Sequence, residues 1–145
     1  FRPVGGRRND HTTCALDGLR LSGYPGPKGQ VHYRHGGIEF FSDTMEMFSI
    51  YLGSEPREPI MAIYTQDMGK ADWNKPEGYW IDAHSAYFVM GSTLHGAIGP
   101  TLAPFALEAD ARAFSARHGG TVLRFDQVIR DMVDLSGGAL QDQGM

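Results

Sequence analysis

Cysteine is almost absent from this 145-residue sequence, in which Cys14 is the single example. One thiol cannot form a disulfide within the chain, so the fold is predicted to depend on a packed core and not on covalent cross-links. Hydrophobic residues make up 41% of the sequence, which is enough for such a core. The length fits one ordinary domain or two very small lobes that share a core.

Two further absences narrow the class of protein. The sequence has no run of about 18 apolar residues, which excludes a transmembrane helix of the usual kind. It also has no basic stripe: the net charge is −4, and the basic residues are scattered apart from Arg7-Arg8. Because nucleic-acid-binding domains usually carry a basic patch, we expect no nucleic-acid partner.

The order of predicted elements is the same in the two halves of the chain. In the first half, strands at 31–34 and 38–41 flank a Gly-Gly turn, a helix follows Asp43, and a strand covers 60–65. Asp43 and Glu46 have the spacing of a capping box at the start of that helix. In the second half, strands at 79–82 and 86–90 precede a long Gly/Pro-rich loop at 91–104. A helix bearing Leu107, a strand at 121–125 and a short last helix capped by Asp126 then follow.

This order predicts an α+β protein made of two small ββαβ lobes with mostly antiparallel sheets. The first lobe is predicted to cover residues 11–65 and the second residues 66–135. A disordered leader is predicted at 1–10 and a flexible tail at 136–145.

The lone thiol is the main candidate for chemistry. Cys14 lies between the polar pair Thr12-Thr13 and a turn at Asp17-Gly18, a setting that predicts an accessible side chain. An accessible cysteine can act as a nucleophile or a metal ligand, whereas a buried one is inert packing. Seven methionines and six histidines accompany it. Thiolate and thioether are the ligands that Cu(I) favours, with imidazole as an acceptable partner.

Three residues are predicted as co-ligands of Cys14 for Cu(I). Met68 lies in a polar loop, Met90 ends a strand, and His95 lies in the Gly-rich loop. Asp17 offers a hard oxygen that suits Cu(I) poorly, so it is predicted to shape the turn. No catalytic residue is predicted.

Seven segments, in order from about residue 14 to 135, resemble the nitrous oxide reductase accessory lipoproteins of the NosL family. They are Cys14-Ala15-Leu16-Asp17-Gly18, Tyr24-Pro25-Gly26-Pro27-Lys28-Gly29-Gln30, Asp43-Thr44-Met45-Glu46-Met47-Phe48, Gln66-Asp67-Met68-Gly69-Lys70-Ala71-Asp72-Trp73, Trp80-Ile81-Asp82-Ala83, residues 96–105, and His118-Gly119-Gly120-Thr121-Val122-Leu123-Arg124-Phe125-Asp126.

The resemblance implies a copper chaperone for the copper centres of nitrous oxide reductase. It implies a periplasmic lipoprotein, tethered to a membrane by a lipid on a cysteine that precedes this chain, with nitrous oxide reductase or its maturation transporter as copper acceptor. We expect a monomer. It also implies a fold similar to part of the organomercurial lyases. Many relatives have a second cysteine, a methionine and another methionine where this chain has Asp17, Leu19 and Ile98. Only Cys14 therefore carries over as a ligand.

The sequence is also compatible with two other functions. Loss of those family ligands favours a docking module that recruits maturation factors and carries no metal. The lyase-like fold favours a thiol-dependent enzyme, although no Cys–His pairing is evident from the spacing.

Overall fold

The computed structural model describes residues 12–53 and 58–133. These residues form seven strands and two α-helices: β1 (Gly29–Tyr33), β2 (Ile38–Phe41), α1 (Thr44–Tyr51), β3 (Ile60–Gln66), β4 (Trp80–Asp82), β5 (Tyr87–Gly96), β6 (Gly99–Phe105), α2 (Glu108–His118) and β7 (Thr121–Arg124). The predicted α+β class is confirmed. The predicted leader at 1–10 and tail at 136–145 lie outside the described residues.

The first sheet has four antiparallel strands in the order β2-β1-β3-β4. Side chains alternate between its two faces, and one face carries the fully buried Val31, Phe41 and Ile63. Helix α1 lies near β1, where a Cβ at Gly29 would collide with the side chain of Met47. Glycine at this position therefore allows close packing between the helix and the sheet.

The second sheet has three antiparallel strands in the order β6-β5-β7, and α2 contacts all three. The prediction of a long loop at 91–104 was wrong. Strand β5 continues to Gly96, and β6 pairs with it across a register shift between Met90 and His95. The glycines and prolines that suggested a loop are explained by this bulge and by the edge position of β6, where proline is tolerated.

The repeated ββαβ order is present, but its second copy consists of β5, β6, α2 and β7. Strand β4, which was expected to open the second copy, instead extends the first sheet by pairing with β3. The division into lobes at 65/66 stays a prediction. The expected last helix capped by Asp126 is wrong: two short 3-10 turns, Phe125–Gln127 and Arg130–Met132, stand in its place.

Two hydrophobic clusters hold the described residues together. The larger one joins the two sheets, since it contains Val31 and Phe41 from the first and Phe88 and Leu102 from the second. The smaller one lies between the second sheet and α2 and contains Phe105 and four other buried residues. Within the described residues, no helix is long and apolar enough to span a membrane.

Candidate metal site

The turn that carries Cys14 is closed by its own backbone. The amide of Gly18 donates to the carbonyl of Cys14 at 3.0 Å, and the amide of Cys14 donates to the carbonyl of Leu19 at 2.8 Å. Gly18 has φ +79°, a conformation that favours glycine. The amide of Ala15 donates to the carbonyl of Phe40 at 2.7 Å and attaches the turn to β2. The sulfur position is thus set by local chain geometry and by the first sheet.

The Cys14 side chain is buried, with 3% of its surface exposed, so the prediction of an accessible thiol was wrong. The amides of Leu16 and Asp17 lie 3.4 Å and 3.5 Å from Sγ and donate to it. The turn folds over the sulfur, while residues 15–18 themselves are exposed. The thiol is therefore covered by one short turn on one side and by the larger hydrophobic cluster on the other.

Two carboxyl groups lie beside the thiol. Cys14 Sγ donates to Glu46 Oε1 at 3.3 Å, and Glu46 is in the first turn of α1. The hydroxyl of Ser42 lies 2.8 Å from Asp17 Oδ2 and 2.9 Å from Glu46 Oε1. One ligand atom each from Cys14, Asp17 and Glu46 falls within 4.8 Å of the others. We call these three residues the thiol–carboxylate cluster.

Burial controls the protonation of this cluster. It raises the pKa of Cys14 above the ordinary value, so the thiol is protonated at neutral pH. It also raises the pKa of Glu46 to about 7, with a further contribution from the hydrogen bond and negative charge of Asp17. Burial alone would raise the pKa of Asp17, but hydrogen bonds with Glu46, with the Leu19 amide and with Ser42 lower it overall. Of the two carboxyl groups, that of Glu46 is therefore the one that holds a proton, and that of Asp17 is the one that is ionised.

The donor atoms suit a metal only in part. A thiolate with two backbone amides on its sulfur is a good ligand for a soft cation such as Cu(I). Carboxylate oxygens are hard ligands, and Cu(I) has little preference for them. Among the described residues, no imidazole belongs to this group of three. A soft cation would need a further sulfur or nitrogen donor besides Cys14.

The other predicted ligands are placed in different parts of the molecule. Met90 packs against the larger hydrophobic cluster, which contains Cys14. Met68 is 9% exposed and belongs to the smaller cluster. His95 lies on β5 with an exposed side chain, and its backbone carbonyl accepts a hydrogen bond from Trp73 Nε1. Of the three, only Met90 shares a cluster with the thiol, and the ligand set stays a prediction.

Sequence reasoning missed Glu46 and Ser42 as parts of the site. Asp43 does cap α1, accepting from the Met45 amide at 2.9 Å. The side chain of Glu46, however, contacts Ser42 and Cys14. The spacing of Asp43 and Glu46 favoured a capping box, and nothing in the neighbouring residues indicated that the Glu46 side chain lies against the thiol.

The fold and the cluster define a class: a small α+β protein with one buried thiol held among carboxyl groups that could coordinate a metal ion. The NosL family model matches residues 7–133 of the chain. The chain is 40% identical over 138 residues to the copper-binding lipoprotein NosL of Stutzerimonas stutzeri, an alignment that covers 94% of this chain and 72% of that protein. It is 36% identical over 120 residues to the copper-binding lipoprotein NosL of Achromobacter cycloclastes, covering 79% and 62%. The chain belongs to the NosL family.

Solved structures agree with this assignment. The crystal structure of the copper chaperone NosL from Shewanella denitrificans matches with a TM-score of 0.83 and 31% identity, over 89% of this chain and 98% of that one. The solution structure of apo-NosL from Achromobacter cycloclastes matches with a TM-score of 0.56 and 33% identity, over 76% and 91%. The two-sheet architecture is therefore that of the family.

Proposed function

We propose that this chain binds Cu(I) on Cys14 and delivers it for assembly of the copper centres of nitrous oxide reductase. The acceptor is the reductase or its maturation transporter complex. The protein works in the periplasm, tethered to a membrane by a lipid. Support comes from relatives that are named copper-binding lipoproteins and from a structural neighbour that is named a copper chaperone.

The observation that carries this proposal is the pair of backbone amides on Cys14 Sγ. Hydrogen bonds from N–H groups to sulfur favour the thiolate over the thiol. Burial favours the thiol, and in the metal-free protein burial has the larger effect. A bound cation reverses this balance, because it supplies the positive charge that the buried thiolate lacks. A metal ion that binds at this site would therefore displace the proton of the Cys14 thiol.

Burial of the thiol has a consequence for transport. A copper ion has to pass beneath the turn at residues 14–18, whose four residues after Cys14 are exposed. The turn is joined to the rest of the described chain by few backbone contacts, of which the Ala15–Phe40 hydrogen bond is one. Short exposed segments of this kind open at low free-energy cost compared with core strands. Opening of this turn is therefore the step at which copper enters and leaves.

Met90 is the proposed thioether partner of Cys14, because it packs against the same cluster. The other predicted ligands have different surroundings, since Met68 belongs to the smaller cluster and His95 is exposed on β5.

The test is an anaerobic competition titration against a Cu(I) chelator under reducing conditions. The unaltered chain is expected to bind one Cu(I), and Cys14→Ser is expected to abolish binding. Met61→Leu is the matched control, since Met61 is an exposed thioether on β3 and its loss should leave affinity unchanged. Full copper retention by Cys14→Ser would overturn the proposal.

A second candidate is the docking module that carries no metal. The burial of Cys14 favours it, because a sealed thiol beside hard carboxylates is not by itself a soft-metal site. The same titration separates the two functions. A docking module would show no Cu(I) binding by the unaltered chain, while still associating with a maturation partner.

A further inference from the structure

We propose that Ser42 is a positioning residue for the Cys14 thiol, through its hydroxyl contacts with the carboxyl groups of Asp17 and Glu46. The effect of Ser42 on copper affinity rests on the proposed function. The effect of Ser42 on the position of the thiol does not depend on copper.

A buried lysine forms a hydrogen bond with the backbone of Ser42. Lys28 is fully buried, and its Nζ donates to the carbonyls of Tyr24, Pro25 and Ser42 at 2.9, 3.0 and 3.1 Å. A lysine is rarely buried unless its charge is compensated, and here three carbonyl dipoles converge on it. Lys28 is itself anchored, since its amide donates to Gln66 Oε1 at 3.0 Å. Ser42 therefore has a fixed main chain one residue before the helix cap.

The hydroxyl of Ser42 bridges the two carboxyl groups. It lies 2.8 Å from Asp17 Oδ2 and 2.9 Å from Glu46 Oε1, and it has a single proton. That proton can fully serve one acceptor, so the other short O···O contact needs a proton from a carboxyl group. A protonated Glu46 donating to Ser42 Oγ, which donates to ionised Asp17, satisfies both of these contacts. Ser42 thereby links the two acidic groups by hydrogen bonds.

The bridge matters for the thiol because Glu46 Oε1 is also the acceptor for Cys14 Sγ. The Ser42 hydroxyl adds to the hydrogen bond between the Glu46 and Asp17 carboxyl groups, and together they hold Glu46 Oε1 beside the sulfur. In Ser42→Ala the loss of the hydroxyl hydrogen bond would let the Glu46 carboxyl turn away from Sγ. Residues that orient a metal ligand from outside the coordination sphere often change metal affinity by about tenfold or more.

Ser42→Ala removes the bridge, and Ser49→Ala is the matched control. Ser49 is on α1 as well, and its hydroxyl donates to the carbonyl of Glu46 and not to the carboxyl group. The first measurement is the infrared S–H stretch of Cys14 in the metal-free protein, assigned by its loss in Cys14→Ser. Ser42→Ala is expected to shift this band to higher frequency because the S–H···O bond weakens, whereas Ser49→Ala is expected to leave it in place.

The second measurement is Cu(I) affinity, for which Ser42→Ala should bind about tenfold more weakly and Ser49→Ala should bind normally. An unshifted S–H band in Ser42→Ala would overturn the inference, regardless of the Cu(I) affinity of that variant. If the band shifts while the unaltered chain binds no copper, the positioning role stands and the proposed function fails. If Cys14→Ser loses copper and Ser42→Ala neither shifts the band nor weakens binding, only the positioning role fails.

Discussion

The two hydrophobic clusters differ in what they combine. The larger one joins both sheets and contains the thiol as well as the buried methionines Met45 and Met47. The smaller one joins only the second sheet to α2 and the loop of Met68, with Trp73 stacked on Phe114 at 5.6 Å. The carboxyl groups of Asp17 and Glu46 lie beside the thiol, which belongs to the larger cluster. The candidate metal site therefore adjoins the larger cluster and not the smaller one.

Met68 and Met90 belong to different clusters although their sequence surroundings are similar. Met68 and Met90 look alike in the sequence, since each adjoins a glycine or a polar segment. Their positions separate them, because only Met90 packs against the cluster that holds the sulfur. This shared cluster is the reason why Met90 is proposed as the thioether ligand before Met68.

The largest expected effect tests whether the larger cluster holds the two sheets together. Phe48 is fully buried and lies 5.2 Å from the rings of both Phe88 and Phe125. Phe48→Ala should lower the free energy of unfolding by about 3–5 kcal/mol. Phe114→Ala, in the half-buried stack of the smaller cluster, should lower it by about 1–2 kcal/mol. Urea unfolding of both variants measures the difference, and equal losses would contradict the comparison.

The next effect concerns Asp43, which caps α1 and contacts the second sheet. Asp43 is fully buried, accepts from Thr101 Oγ1 at 2.7 Å, and packs its Oδ2 against Gly96. Among the described residues, Oδ2 is the buried side-chain oxygen or nitrogen without a hydrogen-bond partner. Burial raises the pKa of Asp43 to about 6, against the opposing positive charge of Lys28. The folded protein therefore favours the protonated carboxyl.

The sign of the pH dependence follows directly. The unfolded carboxyl releases its proton near pH 3.8 and the folded one near pH 6, so folding stability falls as pH rises between these values. At about 1.4 kcal/mol for each pKa unit, the full loss is about 3 kcal/mol. In Asp43→Asn this contribution should vanish, while Glu46 and Asp17 titrate as before. Urea unfolding from pH 4 to pH 7 gives the check: parallel profiles for the two proteins would show that Asp43 is not the cause.

The smallest expected effect compares the two methionines directly. Met90→Leu keeps nearly the same volume and removes the thioether, so copper affinity should fall about tenfold, equivalent to about 1.4 kcal/mol. Met68→Leu should leave affinity unchanged, and so should His95→Ala. The measurement is the chelator competition used for Cys14. A reversed pattern, with Met68 sensitive and Met90 silent, would require the two clusters to rearrange on binding copper.

Local signals predicted much of the fold. Asp43 as a helix cap and the hairpin around the Gly36-Gly37 turn are consequences of interactions within a few residues, and both are present. Strand β6 was missed because Pro100 and Pro104 suppress the usual strand signal, and only its edge position in the sheet permits them. Strand β4 was assigned to the second sheet, whereas it pairs with β3. A short window of sequence does not indicate which strands pair with each other.

By itself, the sequence determined the class of fold, the family and the presence of a single thiol, because composition, helix caps, turns and ordered family segments are local properties of the chain. Tertiary structure alone decided that Cys14 is buried, that Glu46 and Asp17 lie beside it, and that Ser42 joins them. Those contacts bring together residues as far as 32 positions apart, such as Cys14 and Glu46. Their distances and their pKa values depend on burial, which exists only once the two sheets have packed around a common core.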